Sequence, residues 1–405
     1  SLLARRGLMS GIQQSLDLVD ELPNDQQEDS EDIIGIDIFN KSREVVTWST
    51  DWTAYTVVDQ IKRGIIDLNP KFQRRQAWDI EKRSELIFSL LTNIPIPQIV
   101  LAESPHQKGK YIVIDGKQRL MSLAQFIGAE KYDQFKLRVD NKVLSGRLYD
   151  ELEESYRSVI DNAVIRTVVL KNTDKDYLYS VFLKLNMGST KLSPQELRQA
   201  LVPGEFTDYV DDFTVGNSDK RIPVSMGLRK ITRLEGADSR MRDTELALRY
   251  FSFLNHIEHY QGNLKEFLDE FSKDMNEKWD FNKNKFLQQA VEFEAAVLFA
   301  IEIFGEKHVS RKWNGIKYES KLNRAIFDVI FYYFSNPVVR DNAKHNCDLI
   351  KNKFESLCAE NQTFKEAIES STKNLDRTRN RFVIWGEELK SIVGDCVVIP
   401  NFQKS

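Results

Sequence analysis

The residues best suited to chemistry lie in the segment 111–120, Tyr-Ile-Val-Ile-Asp-Gly-Lys-Gln-Arg-Leu. Its pattern predicts a buried strand, a tight turn at Asp115 and Gly116, and a helix that begins at once. Free backbone N–H groups at the start of that helix, together with Lys117 and Arg119, would bind an anion such as phosphate. Gly116 allows a positive φ, and Asp115 would bind a ribose hydroxyl or a metal ion, or orient an arginine. The alternative is an exposed turn with ordinary surface charges.

A second cluster, 69–78, combines planar hydrogen-bond donors, aromatic rings and a proline within ten residues. Arg74 can hold a phosphate with two parallel hydrogen bonds, and Gln73 stands beside it. Phe72 or Trp78 would either stack on a base or pack into the core. This cluster strengthens the prediction of a phosphate site.

A third polar element covers 182–198, where two predicted helices flank a loop that contains glycine. Asn186 in this loop would hydrogen-bond a base or a ribose, or it would cap the preceding helix. The next helix opens with Ser193, Pro194 and Glu196, which is the pattern of a capping box with proline at the first helical position.

Taken in the order in which they occur along the chain, the three segments resemble the prokaryotic DGQQR-motif family. The motifs read Pro-x-Phe-Gln-Arg-x-x-x-Trp from Pro70, Asp-Gly-x-Gln-Arg from Asp115, and Phe-x-x-Leu-Asn-x-Gly-x-x-x-Leu-Ser-x-x-Glu-Leu from Phe182. This family is the ParB-like domain at the N-terminus of GmrSD-type modification-dependent restriction proteins. The resemblance covers roughly residues 50 to 200 of the chain.

The resemblance implies a ParB/sulfiredoxin-like α+β fold, a role in defence against phage DNA, and binding or hydrolysis of a nucleoside triphosphate. The implied nucleotide- and phosphate-binding residues are Gln73, Arg74, Gly116, Lys117, Gln118, Arg119 and Asn186, and the implied catalytic residues are Asp115 and Arg119. Lys117 departs from the family, which usually has Gln at this position. Phosphate binding is therefore a more direct expectation than hydrolysis.

Hydrophobic periodicity predicts the elements that must position these residues. In the first half, helices are predicted over 55–65, 80–91, 117–127, 177–185 and from about 150, with strands over 98–102, 111–114, 135–139 and 163–170. Beyond 203 the strand signals almost vanish, and helices are predicted over 241–257, 284–304, 321–334 and 346–357. We therefore expect an acidic flexible arm over 1–47, a ParB-like DGxQR domain over 48–203 and an all-helical domain over 204–405.

The chain as a whole is slightly acidic, with 57 Lys and Arg against 61 Asp and Glu, which excludes a globally basic nucleic-acid coat protein. The segment 220–242 nevertheless holds seven basic residues against two acidic ones. We expect a DNA contact there through Arg229, Lys230, Arg233, Arg240 and Arg242, unless these charges are merely solvated. The acidic segment 17–32 is either a solvated arm or a negative autoinhibitory strip.

The cysteines, the apolar runs and the histidines limit the classes of protein that this chain can belong to. Three cysteines without a CxxC pair favour a reduced, cytoplasmic chain without a disulfide framework. The longest apolar run, 295–301, is far shorter than the ~20 residues that a membrane span needs, so no membrane association is expected. His256 and His259 are the closest pair of histidines and could bind a metal ion, but without a partner motif we expect them to be helix-surface residues. No HNH nuclease domain and no metal site are predicted.

Three functions remain open on the sequence. The first is a phosphate-recognising protein of an anti-phage, restriction-like system that binds a nucleoside triphosphate with Mg²⁺ and hydrolyses it to regulate DNA recognition. The second is a non-enzymatic DNA-binding sensor in which the same DGxQR turn grips a DNA phosphate. The third is a metal-dependent nuclease built around Asp115. The expected partners are DNA and a separate nuclease or defence-system subunit, and homo-oligomers are left open.

Overall fold

The structure is a computed structural model of the chain. It describes residues 45–68, 78–104, 107–128, 133–171, 173, 177–178, 181, 193–218, 220–369 and 374–402. The predictions that concern residues 1–44 of the acidic arm, Gln73, Arg74, Asn186 and most of the helix predicted over 177–185 lie outside these residues. Contacts divide the described chain into an α+β unit that ends at Leu201 and a helical unit that begins at Val202.

The α+β unit is built on one five-stranded sheet in the order β1-β5-β3-β4-β2. The strands are β1 (Val46–Thr53), β2 (Ile66–Asp67), β3 (Ile99–Glu103), β4 (Tyr111–Asp115) and β5 (Val164–Lys171). β3 lies between a parallel neighbour, β5, and an antiparallel neighbour, β4. Its first four residues are all buried, as expected for a strand that is covered on both faces. The sheet therefore places the end of β4 next to the start of β3.

The helices of this unit are α1 (Ala54–Lys62), α2 (Ile80–Leu91), α3 (Lys117–Phe126), α4 (Glu154–Asn162) and α5 (Pro194–Leu201). The predicted helix over 80–91 is confirmed in full, and Asp79 begins it by accepting a hydrogen bond from the Lys82 amide at 2.8 Å. The helix predicted from about 150 is a short 3₁₀ turn followed by α4. β1 was not predicted, because its residues are largely exposed and do not form an apolar run.

The predicted strand over 135–139 is wrong. The Leu137 amide donates to the Arg147 carbonyl at 2.9 Å, and the Leu137 carbonyl accepts from the Gly146 amide at 2.7 Å. The Arg138 amide donates to a serine hydroxyl of α2. Because this segment satisfies these backbone groups within its own loop and on α2, its alternation of buried and exposed residues arises without a sheet.

The helical unit contains α6 (Glu205–Val215), α7 (Met226–Thr232), α8 (Arg242–His256), α9 (Leu264–Glu277), α10 (Trp279–Phe304), α11 (Arg324–Phe334), α12 (Pro337–Ala343), α13 (Cys347–Glu360), α14 (Gln362–Glu369) and α15 (Leu375–Val393). The prediction of an all-helical domain is wrong in one respect: β6 (Arg311–Trp313) and β7 (Tyr318–Leu322) form an antiparallel hairpin. The helix predicted from 321 begins only at Arg324, where Asn323 caps it. The fold class, mixed α+β followed by a mostly helical region, is confirmed.

Charged side chains brace the interior of the helical unit. Arg249 on α8 donates two hydrogen bonds to Asp328 on α11, at 3.0 and 2.6 Å. Arg381 on α15 donates to the same carboxylate at 3.2 Å. All three side chains are almost completely buried, so one carboxylate connects three helices that are distant in the sequence. None of the helices in the described parts of the chain is sufficiently long and apolar to cross a membrane.

Candidate functional site

The turn at Gly116 has the predicted form. β4 ends at Asp115, α3 begins at Lys117, and Gly116 between them has φ of 94°, in the left-handed region. A Cβ atom on Gly116 would lie 2.3 Å from Ile99 Cδ1 and 3.1 Å from Arg119 Nη2. Glycine is therefore required both by the backbone conformation and by the close approach of these two side chains.

Arg119 is the side chain that this turn positions most tightly. Its Nη2 donates to Asp115 Oδ2 at 2.7 Å and to the Gln98 carbonyl at 3.2 Å. Arg119 lies on the first turn of α3, where the sequence predicts an exposed side chain, and this prediction is wrong. The side chain folds back onto the end of β4 and is only 10% exposed. Arg119 Nε is buried and has no hydrogen-bond partner among the described residues.

A buried donor without an acceptor is costly, on the order of 1–3 kcal/mol, and such groups are uncommon in folded proteins. Arg119 Nε lies near the first turn of α3, and Gly116 supplies no side-chain cap to that turn. The first amide groups of a helix have no acceptor within the helix itself. The buried Nε of Arg119 thus lies beside the start of a helix that has no side-chain cap.

Lys117 lies at the same turn but faces a carboxylate. Its Nζ is 3.8 Å from Glu196 Oε1, and both side chains are less than a tenth exposed. Glu196 also accepts from the Ser193 amide at 2.7 Å, while the Glu196 amide donates to Ser193 Oγ at 3.1 Å. This confirms the capping box at the start of α5. It also connects the segment 111–120 to the segment 182–198 through a buried ion pair.

Sequence reasoning assigned Glu196 a capping role and missed its pairing with Lys117. A signal was present, because a buried cation needs an opposite charge and Lys117 replaces the Gln that is usual in the family. The backbone carbonyl of Gln98, which accepts from Arg119, carried no signal in the sequence. Gln118 is half-buried on the same turn of α3.

The five residues predicted to contact DNA lie in the helical unit, and none of them is fully exposed. Arg229 donates to the Thr214 carbonyl at 3.1 Å, and Arg233 donates to the Lys307 carbonyl at 2.5 Å. Arg242 holds Asp238 through Nε and Nη2, each at 3.0 Å. Lys230 and Arg240 are half-buried. The guanidinium groups of Arg229, Arg233 and Arg242 are thus occupied by acceptors of the unit itself.

Nothing at Asp115 resembles a metal centre within the part of the chain that the structure describes. There, the group of His, Cys, Asp and Glu side chains close enough to share one ion is His256, Glu258 and His259, in the helical unit. Asp115 instead pairs with Arg119.

These features define a class of protein. It is an α+β domain in which a glycine turn holds a buried arginine at the start of a helix, and it is followed in the chain by a helical unit. Residues 55–203 match a protein-family model described as the GmrSD restriction endonuclease, N-terminal domain. The family that the three motifs resemble is thereby confirmed for this segment, and a restriction-like role in phage defence is supported. Comparison with curated proteins found no significant match, and comparison with solved structures found none either.

Proposed function

We propose that the α+β unit binds a nucleoside triphosphate, with Mg²⁺ carried on its phosphates, at the turn between β4 and α3. The observation that carries this proposal is the buried Nε of Arg119, which has no acceptor among the described residues and lies at the start of a helix. A phosphate oxygen is the ligand that satisfies a guanidinium donor and helix-start amides together.

The charges around the turn suggest that a phosphate would be bound by hydrogen-bond donors and not by a net positive charge. Asp115 balances Arg119, and Glu196 balances Lys117, so the turn carries no large excess of positive charge. Asp115 acts as a positioning residue, because it engages Nη2 and so fixes the orientation of the guanidinium plane. Lys117 can contact a phosphate only if its ion pair with Glu196 breaks.

In a restriction-like system, such a site would couple nucleotide state to DNA recognition. Hydrolysis requires an attacking water and a group to orient it, and the Asp115–Arg119 pair is the candidate for that role. DNA binding and a separate nuclease subunit remain proposals that accompany this one. No described residue at the turn favours the nuclease reading, because Asp115 lacks neighbouring ligands for a metal.

Thermal unfolding of the purified chain with each nucleoside triphosphate and Mg²⁺, compared with duplex DNA, tests this function. A nucleotide at about 100 times its dissociation constant should add roughly 2.7 kcal/mol to the free energy of unfolding. Stabilisation by DNA alone would instead favour the DNA-phosphate sensor.

Two variants localise the effect. Arg119→Lys retains the positive charge but removes the Nε donor, and it should abolish the stabilisation by nucleotide. Arg63→Ala is the matched control, because Arg63 also pairs with an aspartate four residues away, on the exposed surface of the same unit. Equal nucleotide stabilisation in wild type and Arg119→Lys would contradict the site.

Incubation of the chain with plasmid, Mg²⁺ or Mn²⁺ and each triphosphate tests the nuclease alternative. We expect no efficient cleavage by this chain alone. Robust cleavage that disappears in Asp115→Ala would replace the proposal with the nuclease.

A further inference from the structure

We propose that His256, Glu258 and His259 form a binding site for one divalent transition metal ion, with Zn²⁺ as the ion of best fit. The site lies in the helical unit, where α8 ends at His256 and a single 3₁₀ turn, Ile257–His259, follows. It is separate from the turn at Gly116 and does not depend on nucleotide binding.

The ligand atoms are already close together. One ligand atom from each of the three side chains lies within 4.8 Å of the others. His259 Nδ1 is 3.4 Å from Glu258 Oε1. Zn²⁺ binds nitrogen and oxygen at about 2.0–2.2 Å with tetrahedral geometry, so two of its ligands lie about 3.4 Å apart. Ligand atoms of these two side chains are therefore already within the range from which small rotations bring them onto one ion.

The local backbone explains why the two histidines meet. His256 leaves the helix with φ of −145°, so the chain turns at this residue instead of continuing along the axis of α8. The two imidazole rings are stacked, with centroids 3.9 Å apart and planes inclined by 13°. The nitrogen lone pairs of an imidazole lie in the plane of its ring, so two stacked rings direct their lone pairs along parallel planes. One ring must therefore rotate before both nitrogens can bind the same ion.

Burial decides which ring rotates. His256 is half-buried and packs against Phe271 and Phe267 of α9, with ring centroids 5.7 and 6.3 Å away. The side chain of His259 is 52% exposed and that of Glu258 is 46% exposed, so both can turn towards an ion with little steric cost. His256 is thus the fixed ligand, and the other two adjust around it.

The chemistry of this set suits an imidazole-preferring ion. Two imidazoles and one carboxylate favour Zn²⁺, Ni²⁺ or Cu²⁺ over Mg²⁺ or Ca²⁺, which prefer oxygen ligands alone. Three protein ligands leave a fourth position for water or for a side chain of another molecule. A bound ion would tie the end of α8 to the turn that leads into α9.

Calorimetric titration of the full chain with Zn²⁺ tests the site. We expect one ion per chain in the wild type, and an affinity at least about tenfold weaker in His259→Ala and in Glu258→Gln. Both side chains are substantially exposed, so these variants should fold normally. His345→Ala is the matched control, because His345 is exposed and belongs to no group of potential ligands in the described chain. It should bind Zn²⁺ like the wild type.

Absorption of the Co²⁺-loaded chain provides a second readout. Tetrahedral coordination should give visible bands in the wild type and in His345→Ala, and these bands should be lost in His259→Ala. Absence of stoichiometric Zn²⁺ binding in the wild type would overturn the proposal. Unchanged affinity in both His259→Ala and Glu258→Gln would overturn it as well, since the ion would then lie elsewhere.

Discussion

Arg249 in the helical unit and Arg119 in the α+β unit are both buried, but their partners come from different distances along the chain. Arg249 holds Asp328 across 79 positions of sequence, with two well-formed hydrogen bonds. Arg119 pairs with Asp115, four residues before it, and its Nε has no acceptor among the described residues. The first arrangement ties two distant helices together, whereas the second leaves a buried donor beside the start of a helix.

The same contrast applies to the basic segment 220–242. Arg229 and Arg233 donate to backbone carbonyls of their own unit, and Arg242 holds Asp238. An excess of positive residues in a segment is therefore not equivalent to an exposed positive surface. Only the geometry separates arginines that connect distant elements from an arginine that pairs within its own turn, and three predictions test that separation.

The largest effect is expected at the brace. Asp328→Ala removes the carboxylate shared by Arg249 and Arg381 and leaves two buried guanidinium groups without it. The free energy of unfolding of the helical unit should fall by about 3–5 kcal/mol, measured by urea denaturation. Asp341→Ala, which removes an exposed ion pair with Lys344, is the control and should cost no more than about 1 kcal/mol. Equal costs for the two variants would show that the buried network does not brace the unit.

The next effect concerns Arg119. Because the side chain is buried and engages both Asp115 and the Gln98 carbonyl, Arg119→Ala should lower the free energy of unfolding by about 1.5–3 kcal/mol without ligand. If Arg119 also binds phosphate, the additional stabilisation by nucleotide should vanish in the same variant. Loss of stability with unchanged nucleotide stabilisation would make Arg119 a brace like Arg249.

A smaller effect is expected in the basic segment. Arg229→Glu should destabilise the helical unit by about 1 kcal/mol, because it removes the hydrogen bond to the Thr214 carbonyl. Lys230→Glu, its neighbour in sequence, should change stability by no more than about 0.5 kcal/mol. Each residue that contacts DNA phosphate should reduce the slope of log affinity against log salt by about one when its charge is reversed. Salt slopes equal to wild type in both variants would contradict a DNA contact here.

Near neutral pH the smallest effect is expected from the thiols, which all lie in the helical unit. Burial raises the pKa of Cys358 from 9.0 to about 12. A raised pKa in the folded state favours the neutral thiol, so its contribution to stability is complete below pH 9 and is lost as the pH rises towards 12. Cys358→Ala should weaken this loss. Maleimide labelling of Cys358 at pH 8 should follow unfolding of the helical unit alone, and rapid labelling of the folded chain would contradict its burial.

Much of the local structure could be predicted from sequence. The strand, turn and helix around Gly116 follow from a short apolar run, an Asp-Gly pair and a helical period, and each depends on residues within a few positions of one another. The capping box at Ser193 and Glu196 is equally local. The family, too, could be identified from three short motifs, as the match over 55–203 confirms.

Predictions that depended on distant partners failed or could not be made. The segment 135–139 alternates like a strand, but its backbone bonds to its own loop. β7 could not be distinguished from the start of α11, because its pairing with β6 sets the boundary.

The sequence by itself determined where the chain turns, which residues are offered at the turn, and which family the segment resembles. Only the tertiary structure decided that Arg119 lies inward against Gly116, that Lys117 meets Glu196, and that Arg229, Arg233 and Arg242 are engaged within their unit. The reason is physical. Local periodicity and capping depend on neighbours along the chain, whereas the burial and pairing of a charge depend on which acceptors the packing of distant elements brings within hydrogen-bond distance.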